Sequence, residues 1–369
     1  MGAKNLYRAI VYFFEKIPEN IELIKRTVAE DYAIIRKGKI YKEVVWSQDE
    51  QKAFDEYWMR VSGKKISNRW HKLYQSMSGE FAVDYLPEKL FSTKVETKLN
   101  SFQYARVLQD KNLLDTLSTG CGCVVPKMVC MCSGGHFYND KRMLITRENA
   151  IKLVLENNNL IVKPTADSSS GEGITFIDNP QQLGKQELET ILNTLGANFV
   201  VQKRIIAHPD FAAFNASSIN TIRIITYITN GEMHHVPIAF RIGRKNKTVD
   251  NIHAGGLVVG VRDDGTLLPM AYELGYGDKT VKYLQHPDSN VVFDNYKLPC
   301  IPEIINSAYA VHRRLVNIGI VSWDFTVDNE NNPVLIEANI RGQSIWFPQI
   351  VHGKGAFGEH TKEIIEMIK

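Results

Sequence analysis

Along the first hundred residues the apolar positions recur at helical spacing. Tyr7, Ile10, Val11 and Phe14 make one stripe, and Ile21, Ile24 and Val28 make a second. The three- and four-residue intervals bring such side chains to one face of a helix. The stripes predict helices packed on one another over residues 1–98. Beyond them the apolar runs shorten. Strands are predicted after Pro126, over residues 160–164, 198–206 and 218–225. The last of these enters a hairpin, because Asn230-Gly231 supplies the two positive-φ residues of a tight hairpin turn. The segment TADSSSGEGITFI after residue 164 connects strand to strand and lacks Gly-Lys-Ser/Thr, which excludes a P-loop.

A second hairpin is predicted near the end of the chain. Val321, Trp323, Phe325 and Val327 alternate with Ser322, Asp324 and Thr326, and residues 334–339 form another β-prone run after an Asn-rich turn. If Val327 lies opposite Val334, counting outward places Asp324 across from Glu337. Asn339 then shares their face, because strand side chains repeat every second residue. Like charges facing each other destabilise a ladder unless something positive lies between them. Three hard oxygen donors on two strands suit Mg²⁺ shared with phosphate. A hairpin whose acids point into water is the plainer alternative.

Composition narrows the class. With 369 residues, 44% hydrophobic and 23% charged, the chain has the makeup of a globular protein with room for two or three subdomains. A net charge of +3 is too mild to argue for nucleic acid but suits anionic ligands such as nucleotides. No apolar run approaches the roughly 18 residues of a membrane span, and the opening residues lack the small-residue cleavage site of a signal peptide. Leu6 stands where a myristoylation motif has Ser or Thr. These features place the protein in the cytoplasm. Lys4, Arg8 and Lys16 beside the first apolar stripe add an expectation of peripheral contact with the inner face of the membrane.

Cys121, Cys123, Cys130 and Cys132 cluster ahead of His136, but their C-x-C pairs match no standard zinc spacing. Reduced thiols acting as small core residues are expected. Residues 65–100 crowd Trp70, Tyr74, Phe81, Tyr85 and Phe91 among His71, Lys72 and Asp84. That grouping suits the faces and hydroxyls of a sugar, and equally a packed helix pair turning at Ser78-Gly79.

Asp324 followed by Glu337-Ala-Asn339-Ile-Arg341 resembles the metal-binding hairpin of ATP-grasp enzymes, and Glu-x-Asn-x-Arg is similar to the biotin carboxylase version. Residues 65–100 resemble the leader of sugar-transfer-associated ATP-grasp proteins, a family linked to cell-surface polysaccharide synthesis. The resemblance implies an α/β (α+β) chain with the ATP-grasp fold. Residues 1–98 would be a helical region, 99–201 a pre-ATP-grasp segment with the small subdomain, and 202–369 the C-terminal subdomain.

It also implies a site. Asp324, Glu337 and Asn339 would bind two Mg²⁺ ions that bridge ATP phosphates. Lys111, after a helix-capping Asp110, and Lys163 would reach those phosphates, covered by the loop with Ser169, Ser170, Gly171 and Gly173. Gln202, Lys203 and Ile205 lie where the family's hinge meets adenine, although an acidic residue usually stands in the place of Gln202. His208 and Asp210 are the two candidates for ribose. Asn251 and His253, ahead of Gly255-Gly256, resemble the segment lining the same cleft. Arg223, an arginine in an apolar strand, is either half of a buried ion pair or, by the family match, a contact to phosphate or substrate. Arg341, two residues past Asn339, shares its face on a continuing strand and would reach a substrate carboxylate.

The implied activity is that of an ATP-dependent carboxylate–amine ligase working through an acylphosphate. It would join an amino acid or amine to a uronic acid, or an amino acid to an amino sugar, on a surface polysaccharide, its precursor or a sugar nucleotide. The alternatives are an ATP-dependent kinase on the same fold and an ATP-binding module that organises glycosyltransferases without turnover.

Overall fold

The computed structural model describes residues 3–165, 173–245, 247–252, 255–274 and 280–369, with side chains from residue 17 onward. The N-terminal region is helical. A long helix α1 (Ala3–Arg36) is followed by a helix at Gln48–Ser62 that opens on a capping box between Ser47 and Glu50 and ends at Gly63 in the left-handed conformation. The next, Arg69–Ser78, ends the same way at Gly79, the Ser78-Gly79 turn expected from sequence.

Tyr74, Tyr85 and Phe91 are fully buried, and Tyr74 and Tyr85 meet edge to face at 5.5 Å. Of the two readings of the aromatic segment, the packed helix pair is the one the structure adopts, and these rings are withdrawn from any sugar. His71 lies among them, its Nε2 accepting from the Trp58 indole N–H (3.1 Å), and burial pushes its pKa down to about 3. The second apolar stripe goes the other way: Ile21, Ile24 and Val28 are 48%, 62% and 61% exposed. The cause of this exposure is local. α1 docks through the opposite face, where Arg26 pairs with buried Glu96, Lys89 with Asp31, and Ile34 is buried.

Among the described residues the strands form two antiparallel sheets. The first contains β1 (Met128–Ser133), β2 (His136–Asn139), β3 (Leu144–Ile145), β4 (Leu160–Pro164), β5 (Thr175–Ile177) and β6 (Phe199–Lys203) in the order β3-β2-β1-β6-β4-β5. β4 pairs directly with β5, so the Ser- and Gly-rich segment joins strand to strand as expected. β6, at the expected junction of the two subdomains, belongs to this sheet. Cys130 and Cys132 are buried in this subdomain's core, whereas Cys121 and Cys123 pack in the core of the other, so the four thiols do not converge.

The second sheet contains β7 (Thr221–Thr229), β8 (Glu232–His235), β9 (Ile238–Ile242), β10 (Leu257–Val261), β11 (Leu267–Glu273), β12 (Val281–Tyr283), β13 (Ile320–Val327) and β14 (Pro333–Asn339). Their order is β12-β11-β10-β9-β7-β13-β14, with β8 paired to β7. Asn230 and Gly231, with φ of 51° and 80°, make the tight turn between β7 and β8 that the sequence predicts. β13 is buried along its whole length.

The hairpin of β13 and β14 is out of the expected register at its turn. Val327 faces Pro333 and Thr326 faces Val334, and a bulge between Leu335 and Glu337 then shifts the pairing so that Asp324 does face Glu337. The extra residue, Ile336, absorbs the one-position difference. Had the register stayed uniform, Glu337 would have turned to the opposite face.

Asn100 ties this hairpin to the helical region. Buried at 5% exposure, it donates to the carbonyls of Ile320 (2.7 Å) and Ile340 (2.8 Å) and accepts from the amides of Gly319 and Ile320, both at 3.0 Å. Asn100→Ala leaves four backbone groups without this partner, so a loss of about 3 kcal/mol is expected. Urea denaturation measures it, and a loss under about 0.5 kcal/mol would show that the amide is dispensable.

Candidate active site

A cleft of about 1110 Å³ lies between the two sheets. β4 and β6 contribute Ile161, Lys163, Gln202 and Lys203 to it, β7 and β9 contribute Arg223 and Arg241, and β13 and β14 contribute Asp324, Glu337 and Asn339. Residues on distant parts of the chain thus share one solvent-filled space.

Asp324 is the most constrained of them. It is 4% exposed, and its carboxylate accepts from Arg223 Nε at 2.5 Å and from Arg223 Nη2 at 3.0 Å. Arg241 Nη2 lies 3.1 Å from Oδ2, the oxygen that also accepts from Arg223 Nη2. Burial opposes the charge, but the two guanidiniums outweigh it and hold the carboxyl below the usual carboxylate range. The sequence left Arg223 between ion pair and ligand contact; in this structure it forms the buried ion pair.

Arg241 was missed. It stands in β9 as Arg223 stands in β7, a lone cation in an apolar strand, so the argument that singled out Arg223 applied to it equally. Its guanidinium also donates to Thr221 Oγ1 at 2.7 Å, and Thr221 in turn donates to Asp250.

Glu337 faces Asp324 across the ladder, and Lys111 Nζ lies 2.8 Å from its Oε1. Lys111 opens a short 3₁₀ turn capped by the Asp110 side chain, close to the helix start expected there. Its amide also donates to the carbonyl of Thr165, just past β4 (3.1 Å). The like charges of the hairpin are therefore each met by cations of the protein itself.

Asn339 Nδ2 sits 3.4 Å from Asp324 Oδ2. Lys163 is 6% exposed. Its pKa is pushed down to about 8, by burial first and by neighbouring Lys111 second, with Glu337 opposing. Among the described residues no group of three His, Cys, Asp or Glu gathers as a metal site. The donor set here is two carboxylates and an amide, which offer hard oxygens on one face, and each carboxylate has a cation beside it. That set fits Mg²⁺.

Gln202 is buried with its side-chain oxygen unpartnered, an acceptor open to an amino group such as that of adenine. Ile205 and Asn251 line the same cleft, and Lys203 Nζ reaches the Asn158 carbonyl at 3.1 Å. Gly173, with φ +75°, packs against Pro164. Ser169, Ser170, Gly171 and His253 lie outside the described residues. His208 caps the short helix Pro209–Ala212, and neither it nor Asp210 is among the described residues lining the cleft. Gly256 packs against the backbone carbonyls of Asp250 and Asn251, two residues that line the cleft, and is not itself among the described lining residues.

Arg341 differs most from expectation. β14 ends at Asn339, so no continuing strand aims it. It lines the cleft, its guanidinium lies 4.3 Å from the Phe102 ring centroid, and Nη2 is 3.4 Å from Glu22 Oε1 of α1. Nothing in the sequence pointed to Glu22, which stands on a helix more than three hundred residues away.

A model of the sugar-transfer associated ATP-grasp family matches residues 90–365. No curated protein matches the chain. Among solved structures, it is similar to the D-Ala:D-Ser ligase VanG of Enterococcus faecalis, with 14% identity and a TM-score of 0.42 over 73% of this chain and 63% of that one. It is also similar to the biotin carboxylase domain of Hydrogenobacter thermophilus 2-oxoglutarate carboxylase, with 15% identity and a TM-score of 0.42 over 73% and 47%. The third, N5-carboxyaminoimidazole synthetase of Staphylococcus aureus, has 13% identity and a TM-score of 0.40 over 66% and 48%. The chain thus spans less than two thirds of each. No helix among the described residues is long and apolar enough to cross a membrane.

The depressed Lys163 pKa sets a stability dependence. Between about 8 and the ordinary 10.5 the unfolded chain holds a proton that the folded protein has released, so stability rises with pH across that window. Relative to Lys163→Met, wild-type protein should gain up to about 3 kcal/mol as pH rises through the window. Urea unfolding of both proteins at the two ends of it measures the change, and a constant difference would mean that Lys163 keeps an ordinary pKa.

Proposed function

The chain belongs to the sugar-transfer associated ATP-grasp family, and from this premise we propose that its cleft is the site of an ATP-dependent carboxylate–amine ligase. The observation that carries the reading is the gathering of Lys111, Lys163, Arg223 and Arg241 around Asp324, Glu337 and Asn339 in one cleft. Such a set suits a phosphoryl group in transfer, whose catalysis is mostly positioning and charge stabilisation.

In this proposal Gln202 accepts from the adenine amino group, and Lys203, Ile205, Asn251 and His253 border the nucleoside. Lys111 and Lys163 hold the phosphates, with Ser169, Ser170, Gly171 and Gly173 supplying the covering loop. Asp324, Glu337 and Asn339 would hold Mg²⁺, two ions in this reading, and the metal would supply neutralisation of phosphate charge. Lys111 then exchanges Glu337 for phosphate oxygens. Arg341 receives the acceptor carboxylate, for which a planar fork of donors is suited, and Arg223 stays at the floor with Asp324. The acceptor is a sugar-linked carboxylate, such as a uronic acid, and the nucleophile an amine, in the making of a cell-surface polysaccharide.

The test is ADP release from a panel of uronic acids and sugar nucleotides crossed with amino acids. The ligase reading expects ADP and phosphate only when a carboxylate and an amine are both present. Glu337→Gln should lower that turnover at least about 100-fold with folding retained, because Glu337 is 27% exposed and, among the described residues, its ion pair is with Lys111. A stable phosphorylated product made without an amine would identify a kinase instead, and nucleotide binding without any ADP release would identify a non-catalytic module.

A further inference from the structure

Arg341 is occupied by a carboxylate that belongs to the protein. Among the described residues, Glu22 is the one acid within 4.0 Å of its guanidinium, and it comes from α1, which lies outside the span matched by the family model. Both residues line the cleft. The guanidinium carbon lies over the Phe102 ring, 4.3 Å from its centroid, and its Nε is buried without a partner. The cation is therefore packed on a ring and paired, among the described residues, with a single, displaceable anion.

Glu22 has somewhere else to go. Arg26, one turn further along α1, lies 3.2 Å from the same Oε1 and is itself anchored by Glu96 at 2.9 Å and by the Ser92 carbonyl at 3.0 Å. Burial works against the Glu22 charge, but Arg26 and Arg341 keep the carboxyl below its usual range, so it stays an anion. If Glu22 leaves Arg341 it keeps Arg26 and the water that already reaches it, since its side chain is 31% exposed. Arg341 has no comparable alternative among the described residues. The same helix also steadies the loop beyond: Glu96, paired to Arg26, accepts from the amides of Gly342 (2.9 Å) and Gln343 (3.0 Å).

We propose that Glu22 is a resident stand-in for the acceptor, seated on Arg341 until a substrate carboxylate replaces it. The inference rests on the reading of the cleft as a carboxylate-activating site. Substrate binding is then an exchange of one carboxylate for another on a guanidinium that does not move, and α1 sets the threshold that an acceptor must exceed. An uncharged sugar cannot make the exchange, because it leaves the Glu22–Arg341 pair more favourable than its own contact.

Calorimetric titration of glucuronate into wild-type protein, Glu22→Gln and Glu22→Ala, each with ADP and Mg²⁺ present, tests it. Removing the competing anion should tighten glucuronate binding about three- to five-fold in both variants, the range available from one half-exposed ion pair, with ADP affinity unchanged. The alanine variant guards against a glutamine that still bonds Arg341. Unchanged or weaker glucuronate binding in both variants would mean that Glu22 positions Arg341 rather than competing for it, and would overturn the proposal. Absence of glucuronate binding to all three proteins would overturn it as well. Because no turnover is read, failure of the ligase reading appears separately, as missing amine-dependent ADP release.

Discussion

A buried carboxylate between two guanidiniums is the constraint on which the larger sheet and the cleft both depend. Asp324 sits in β13, Arg223 directly across from it in β7, and Arg241 reaches it from β9, the strand beyond. Taking three charges out of water is costly, and the cost is recovered only when their geometry and hydrogen bonds are complete. Here the carboxylate receives donors from both arginines, and Arg241 is further satisfied by Thr221. Removing the acid would strand two buried cations. An acid that lines the cleft is thus also one that the sheet needs in order to keep two buried arginines neutralised.

The rest of the cleft is balanced less completely. Lys111 and Glu337 neutralise each other, but Lys163 is buried with Lys111 as a neighbour and loses its proton more readily than a free lysine. A polyanion entering there relieves the repulsion between two ammonium groups and supplies what burial took away. The site is therefore arranged so that a phosphate chain stabilises it, with Gln202 presenting an unused acceptor at the other wall. The helical region participates through its acids. Glu96 holds the amides that follow Arg341, and Glu88 accepts from the Ile345 amide at 3.2 Å, so the loop leaving β14 takes its shape from helices at the start of the chain.

Much of this was legible in local pattern. Alternation in residues 321–327, the Asn-Gly turn at 230 and the lone cation of β7 all report what a residue's immediate neighbours require, and each was realised. Asp324 and Glu337 were matched although the assumed pairing of Val327 with Val334 was wrong, because the bulge at Ile336 restored the register. A bulge of this kind leaves no mark in an apolar run. The stripe of Ile21, Ile24 and Val28 was misread for a related reason: periodicity shows that a helix has an apolar face, and it does not show which face another element covers. α1 docks instead by Arg26, Asp31 and Ile34.

By itself the sequence determined the helical start, the strands that follow, and a motif set that named the cleft's acids and lysines, because each depends on spacing within a few residues. Only the tertiary structure decided which charges meet. Arg241 joining Asp324, Lys111 closing on Glu337 and Glu22 seated on Arg341 are contacts between segments far apart along the chain. Their energies depend on burial and distance, and neither quantity exists until the two sheets and the helical region have packed together.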